Sequence, residues 1–428
     1  MAAHLPTLPT LSIYLHFPWC IRKCPYCDFN SHALSGELPE AEYVAQLCTD
    51  IEREAPLWAG RPVQTIFLGG GTPSLFSAAA IAAVLTRVRQ SFAVASNAEI
   101  TLEANPGAVE ASRFDGFRAA GVSRLSIGVQ SFDDVALQRL GRIHDARAAR
   151  RAIALAQHTG FTRINVDLMH GLPEQTADAA LSDLNIALAS GVEHLSWYQL
   201  TIEPNTAFFR APPVLPHEDQ LDDIETRGFE LLHGNDFERY EVSAWCKGDS
   251  AARHNLNYWQ FGDYVGIGAG AHGKQSLWRN DQLQVTRYQK SRAPRDYLVD
   301  CARKNAQPIA ALDLPFEFLL NALRLRVGVS ESLFVAHTGL RIAALQPVLE
   351  QLRERGLMVR DRLAATAPGW RYLDSLLEQF IPGADDSTQS RAGDRRPEVN
   401  ALENEVRDVV TEGNTTPLEA GARPLRWS

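Results

Sequence analysis

Between Leu11 and Leu200 the chain repeats one unit, a short apolar run that ends in polar or glycine-rich residues and gives way to an amphipathic stretch. The runs are Leu11 to Phe17, Thr65 to Leu68, Glu99 to Glu103, Arg124 to Gln130, Arg163 to Met169 and His194 to Leu200. Runs this short, bounded by breakers, suit strands buried on both faces. The stretches Ala41 to Glu54, Ala78 to Gln90 and Val109 to Ala119 carry helical periodicity. Such alternation gives parallel strands joined by right-handed crossovers. The expectation is an α/β fold, a partial (β/α)6 barrel, with polar strand ends gathered at the face where these folds bind ligands.

At 428 residues the chain is too long for a single compact core. From about Leu312 the pattern turns to helices at Phe316 to Arg326, Glu331 to His337 and Ile342 to Arg355, with a hairpin-like stretch running on to Trp370. That order is winged-helix-like, but the segment lacks a dense Lys/Arg stripe, so packing against the barrel is expected rather than nucleic-acid binding. The expected divisions are a barrel over 1–245, a capping and connecting segment over 246–311 and a mainly helical, winged-helix-like domain over 312–382. A largely disordered tail is expected over 383–428, with a helical pattern at Leu402 to Val410. A net charge of −9 argues against a broad nucleic-acid or membrane-surface footprint. No window has the length and apolarity of a membrane span, and Met1 to Thr10 lacks the features of a leader. An integral membrane protein is therefore not expected. Six cysteines, three of them in one loop, do not make a disulfide framework, which points to the cytoplasm.

Those three, Cys20, Cys24 and Cys27, directly follow the first apolar run. Structural zinc takes four ligands, and the remaining cysteines, Cys48, Cys246 and Cys301, stand alone. An iron–sulfur cubane normally takes four thiolates, so three leave one iron open to an exchangeable ligand. After the second run, Gly69-Gly70-Gly71-Thr72-Pro73 lets backbone groups approach a ligand, although a glycine string alone is more commonly a plain turn. Glu103 and Gln130 end the third and fourth runs and Asp167 lies in the fifth. Taken singly each is as well a helix cap or a satisfied core group. His254-Asn255-Leu256-Asn257-Tyr258-Trp259 packs a histidine, two amides and two aromatics into six residues. Composition favours a Trp-anchored cap over the barrel, and a planar aromatic ligand is the functional alternative. The string Gly266 to His272 has neither the frame nor the acidic residue of a dinucleotide fingerprint.

The cysteine spacing, with an aromatic residue before the last cysteine, resembles the signature of the radical S-adenosylmethionine (SAM) proteins. Tyr14 to Cys20 running into Cys24 to Asn30, Gly69 to Pro73, Leu102 to Pro106, Ser126 to Phe132 and His254 to Trp259 together look like the HemW family of haem chaperones. That family is related to the oxygen-independent coproporphyrinogen III oxidase HemN, and the resemblance covers roughly Leu11 to Ile381. It implies a [4Fe–4S] cluster on Cys20, Cys24 and Cys27 whose fourth position takes SAM. Around SAM it implies Tyr14, Tyr26, Gly70, Gly71, Thr72, Glu103, Gln130, Arg142 and Asp167, with Arg142 clamping the methionyl carboxylate through its guanidinium. It associates haem with His254, and His16 is a second candidate near the cluster. The function implied is to bind haem and pass it to an acceptor protein, membrane-associated respiratory proteins among the acceptors. The rival readings are oxidative decarboxylation of coproporphyrinogen III and radical chemistry on another substrate. The oxidase has a fourth cysteine two residues after the third cluster ligand, where this chain has Phe29, and a longer N-terminal segment. Both differences count against that activity.

Overall fold

The structure, a computed structural model, describes residues 8–107, 111–280 and 282–382. The expected tail with its helix at Leu402 to Val410, and the start of the expected helix at Val109, lie outside the described residues. Each of the six expected runs is a strand: β1 (Leu11–Phe17), β2 (Val63–Gly70), β3 (Val94–Ala104), β4 (Arg124–Gln130), β5 (Ile164–His170) and β6 (His194–Gln199). They pair in parallel in that order. Beyond β6 the sheet continues antiparallel through β8 (Ala244–Cys246) to β7 (Glu238–Arg239).

On the other side of β1 lies a strand that the sequence reading missed. Asp263–Ile267 forms β9, parallel to β1, within the segment expected only to cap and connect. Its five residues are all buried, but Gly266 and the glycines that follow disguise it as a loop. Gly266 is required there, because a Cβ would sit 1.9 Å from the His272 carbonyl oxygen. Three antiparallel strands, β10 (His272–Arg279), β11 (Gln282–Lys290) and β12 (Lys304–Pro308), complete a twelve-stranded sheet. Its edge strands β7 and β12 are not paired with each other, so it stays open.

Side-chain alternation divides the sheet into two chemistries. Ile13, Leu15, Ile66, Leu68, Leu102, Ile127 and Val166 share a core with Ile81, Leu85, Ile153 and Leu184 from the crossover helices. Those helices are α1 (Glu40–Glu54), α2 (Ala78–Ser91), α3 (Phe114–Ala120), α4 (Ala146–His158) and α5 (Ala177–Ala189). Capping sets where three of them begin, since the side chains of Ser77, Asp145 and Thr176 accept the backbone N–H groups of Ala80, Ala148 and Ala179. At the alternate positions stand Tyr14, Glu99, Glu103, Ser126, Gln130, Asn165, Asp167, His194 and Tyr198, a largely polar face.

A second core is built from the helices Leu314–Ala322, Glu331–Thr338, Val348–Glu354 and Leu373–Glu378. The bridges Val329↔Leu363 and Met358↔Ala365 supply the expected hairpin-like piece. The expected helix Ile342 to Arg355 is split into a turn at Ile342–Leu345 and the helix from Val348, because Pro347 cannot continue the N–H ladder. Tyr258 and Trp259 belong to this second core, and the Arg324 guanidinium lies 4.3 Å over the Trp259 ring.

Candidate functional site

The carboxyl ends of β1 and β2 build the cysteine loop. Trp19–Cys20 pairs with His32–Ala33, the His32 N–H donates to the Pro18 carbonyl at 2.7 Å, and the Lys23 ammonium donates to the carbonyls of Phe29 and Ser31 at 3.0 and 3.1 Å. The loop is therefore fixed at both ends. Gly71 donates its N–H to the Phe17 carbonyl at 2.7 Å, and a Cβ at Gly71 would lie 2.7 Å from the Trp19 carbonyl oxygen, so the glycine string can sit only as glycine against the loop's start.

Each thiol has a polar side chain beside it. Thr72 Oγ1 donates to Cys20 Sγ at 3.4 Å, Arg142 Nη1 donates to Cys24 Sγ at 3.6 Å, and Ser31 Oγ lies 3.4 Å from Cys27 Sγ. Burial pushes the Cys20 thiol up to about 11 against the pull of Thr72, and Cys27 and Cys24 add to the rise, so the three sense one another. Burial raises the Cys27 thiol as well. Thiols held this way become thiolates when a metal takes up the charge. Among the described residues no three His, Cys, Asp or Glu side chains converge on one ion. A cubane takes each thiolate on a different iron, so a donor set of three separated thiols in one loop fits a cluster better than a single metal ion.

The strand ends face this loop. Glu103 accepts the Gly70 N–H at 3.0 Å. Burial first and Asp167 second push its carboxyl up to about 8, with the Gly70 bond pulling the other way. Asp167 accepts from Ser126 Oγ at 3.1 Å and Asn165 Nδ2 at 2.7 Å, and burial raises it in spite of those bonds. Gln130, held at φ +71°, accepts the Tyr198 hydroxyl at 2.8 Å. Arg142 donates Nη2 to the Gly128 carbonyl at 2.7 Å and to Asn105 Oδ1 at 2.6 Å, while its buried Nε has no protein partner. Tyr14 shares a 2.9 Å hydrogen bond with His16 Nδ1 and stacks on Phe67 at 6.1 Å. Tyr26 lies against Phe208, ring centres 6.4 Å apart. The residues the resemblance assigns to the cluster and to SAM thus lie on the polar face of the sheet and in the loops at the carboxyl ends of its strands, with Tyr14 and Asp167 midway along β1 and β5. Asn105 and Tyr198 join them without having been singled out. Tyr198, a hydroxyl near the end of β6, obeys the same rule that picked out Gln130.

The histidines are placed differently. His254 opens the helix α6 (Arg253–Trp259), whose first backbone N–H is accepted by Glu99 at 2.9 Å. Glu99 stands four residues before Glu103 on β3, deeper along the same face. The His254 ring lies 4.2 Å from the Phe67 ring, its Nδ1 is 3.4 Å from Glu99 Oε1, and the residue is 7% exposed. Burial lowers its pKa while Glu99 pulls the other way, and Glu99, raised by burial, is brought down to about 2 by the His254 hydrogen bond first and then by the charges of Arg124, His254 and Arg163. His16 is 4% exposed, burial lowers it to about 4, and both ring nitrogens are engaged, with Tyr14 and with the Asn30 carbonyl at 3.0 Å.

The family model for the radical SAM superfamily matches residues 14–185, from Tyr14 through β5 and into α5. The protein named heme chaperone HemW in Escherichia coli is 48% identical over 376 residues, 87% of this chain and 99% of the relative. The chain belongs to the HemW family. A more distant relative from Bos taurus, the mitochondrial radical S-adenosyl methionine domain-containing protein 1, is 35% identical over 89% of each chain. The solved structure of Escherichia coli HemN, described as a coproporphyrinogen III oxidase and radical SAM enzyme, matches with a TM-score of 0.73. It covers 88% of this chain and 91% of that one at 23% identity, so the two share the radical SAM fold with its parallel sheet and helical C-terminal region. Membership of the HemW family, within the radical SAM superfamily, implies a [4Fe–4S] cluster and SAM, and the donor set at the strand ends fits both.

Proposed function

We propose that this HemW-family protein is a cytoplasmic haem chaperone, binding haem and passing it to an acceptor protein while carrying a [4Fe–4S] cluster and exchangeable SAM. The observation that carries the reading is 48% identity across 99% of the length of the Escherichia coli heme chaperone HemW. Cys20, Cys24 and Cys27 are the cluster ligands in this reading. The cluster, when bound, supplies the electron that cleaves the SAM sulfonium. The chain's own residues bind and orient. Gly70 and Gly71 keep the approach free of side chains, Glu103 in its ionised form takes a cationic or hydroxyl group, and Asp167 and Gln130 offer acceptors to ribose hydroxyls. Arg142, with both terminal nitrogens engaged by the protein, offers its buried Nε to a carboxylate. Tyr14, stacked on Phe67, and Tyr26, against Phe208, supply aromatic surface to SAM in this reading.

Haem is the cargo, and His254 is its proposed contact on the strength of the resemblance. With His254 packed against Phe67 and Glu99, ligation of haem iron requires α6 to come away from the sheet. Membrane-associated respiratory proteins are the proposed acceptors. Among the described residues no helix is long and apolar enough to cross a membrane.

The oxidase reading has the shared fold in its favour. Against it stands Phe29, 39% exposed, an apolar ring where the oxidase has a thiol. Anaerobic cluster reconstitution followed by haem titration and a coproporphyrinogen III assay in parallel separates the two. The expected result is a Soret change at stoichiometric haem and no protoporphyrinogen. Multiple-turnover decarboxylation without haem binding would overturn the chaperone reading.

A further inference from the structure

Two of the hydrogen bonds to the thiols meet at one amide. Asn105, in the turn after β3, places Oδ1 2.6 Å from Arg142 Nη2 and Nδ2 3.0 Å from Thr72 Oγ1. The orientation is fixed by chemistry, because a guanidinium can only donate and so must face the amide oxygen. The amide NH2 then points at Thr72 and occupies a lone pair of its hydroxyl. A hydroxyl has one proton, and with Asn105 acting as donor that proton is left for Cys20 Sγ, 3.4 Å away. The same amide holds the guanidinium whose Nη1 donates to Cys24 Sγ. Thr72 is buried, at 2% exposure, so water does not readily replace its partners.

We propose that Asn105 is a positioning residue that directs the Thr72 proton to Cys20 and the Arg142 guanidinium to Cys24, and so sets the reduction potential of the cluster held there. Hydrogen bonds to cluster sulfurs stabilise the more negative, reduced state, and residues one step behind the ligands orient those bonds. Asn105 touches neither the thiols nor, in this reading, SAM. The inference rests on the cysteine loop holding the cluster and is independent of what haem does.

Asn105→Asp is the discriminating change, since it keeps the shape and an acceptor for Arg142 but offers Thr72 a carboxylate in place of a donor. The Thr72 proton turns to that carboxylate and Cys20 loses its hydrogen bond. Thr72→Val removes the same bond directly. Midpoint potentials of the reconstituted [4Fe–4S] proteins, measured by spectroscopic redox titration, should fall in both variants. The expected shift is about tenfold in the oxidised-to-reduced ratio, about 59 mV for a one-electron couple. In the double variant the Thr72 change should add nothing to the Asn105 change. A wild-type potential in Thr72→Val overturns the proposal whatever the Asn105 variant does, including failure of that variant to load. A Thr72 shift that persists in full on the Asn105→Asp background also overturns it. If the unaltered protein takes up no cluster at all, it is the cluster assignment that fails.

Discussion

A carboxyl raised to about 8 by burial and then by a second carboxyl, as Glu103 is, stays largely protonated at neutral pH. A ligand that needs the carboxylate must displace that proton. If Glu103 contacts SAM, affinity should rise about tenfold per pH unit below about pH 8 and level off above it. Glu103→Gln should bind SAM weakly and without this slope. Calorimetry between pH 6 and 9 measures both, and an unchanged slope in the variant would remove Glu103 from the site. The same shift affects the ligand-free fold. With the folded pKa above the ordinary value of 4.5, this group's contribution to stability is complete below about 4.5 and is lost as pH rises towards about 8. Among the thiols, Cys24→Ser should abolish most of the visible absorbance of the reconstituted cluster. Cys301→Ser should leave it intact, since Cys301 is 2% exposed and belongs to the buried group around Lys290. Equal loss in both would sink the ligand assignment.

At the scale of elements, α6 joins three regions. Its N-terminus is capped by Glu99 of β3, its histidine supports Phe67 beneath Tyr14, and its last two residues lie in the C-terminal core. His254→Ala should therefore cost about 1–3 kcal/mol of stability by leaving a cavity beside Phe67. If the helix is also the haem site, haem affinity should fall with the cluster spectrum unchanged. Destabilisation with wild-type haem affinity would leave α6 as a plug of the barrel only. The sequence signals of the barrel strands were strong because each run is apolar on the side under the helices and stops at a glycine or a polar group. β9 escaped notice because its burial comes from neighbours on both sides, β1 and β10, that lie far from it in sequence or follow a glycine turn. The cysteines and strand-end residues were legible for the same reason as the strands. Asn105 was not, because Asn-Pro-Gly reads as a turn and its two side-chain partners lie 33 and 37 residues away along the chain.

Over the whole molecule, buried charge ties the antiparallel edge of the sheet to the first helix. Lys290 of β11 donates to Asp50 at 2.6 Å and to Glu54 at 2.8 Å, partners up to 240 residues away in sequence, with no side-chain exposure at Lys290 or Asp50. The Tyr297 hydroxyl donates to Asp50 at 2.8 Å, and Lys304 reaches Glu54 at 2.7 Å. Because β11 and β12 extend the sheet from β9, this network fixes the far edge to α1, which packs on the side of the sheet opposite the polar face. A buried pair of this kind adds little net stability over a well-packed apolar pair, but removal of one partner leaves charge in a dry interior. Lys290→Met should thus destabilise the protein by about 3–5 kcal/mol. Asp50 would then hold its proton more tightly in the fold than in the unfolded chain, while Glu54 keeps Lys304, so the loss should be larger at pH 8 than at pH 5. Adding Asp50→Asn and Glu54→Gln to the same variant should recover most of the stability and flatten its pH dependence. Urea denaturation of the three proteins at both pH values is the measurement. A Lys290→Met midpoint equal to that of the unaltered protein would show that the edge is held by packing alone.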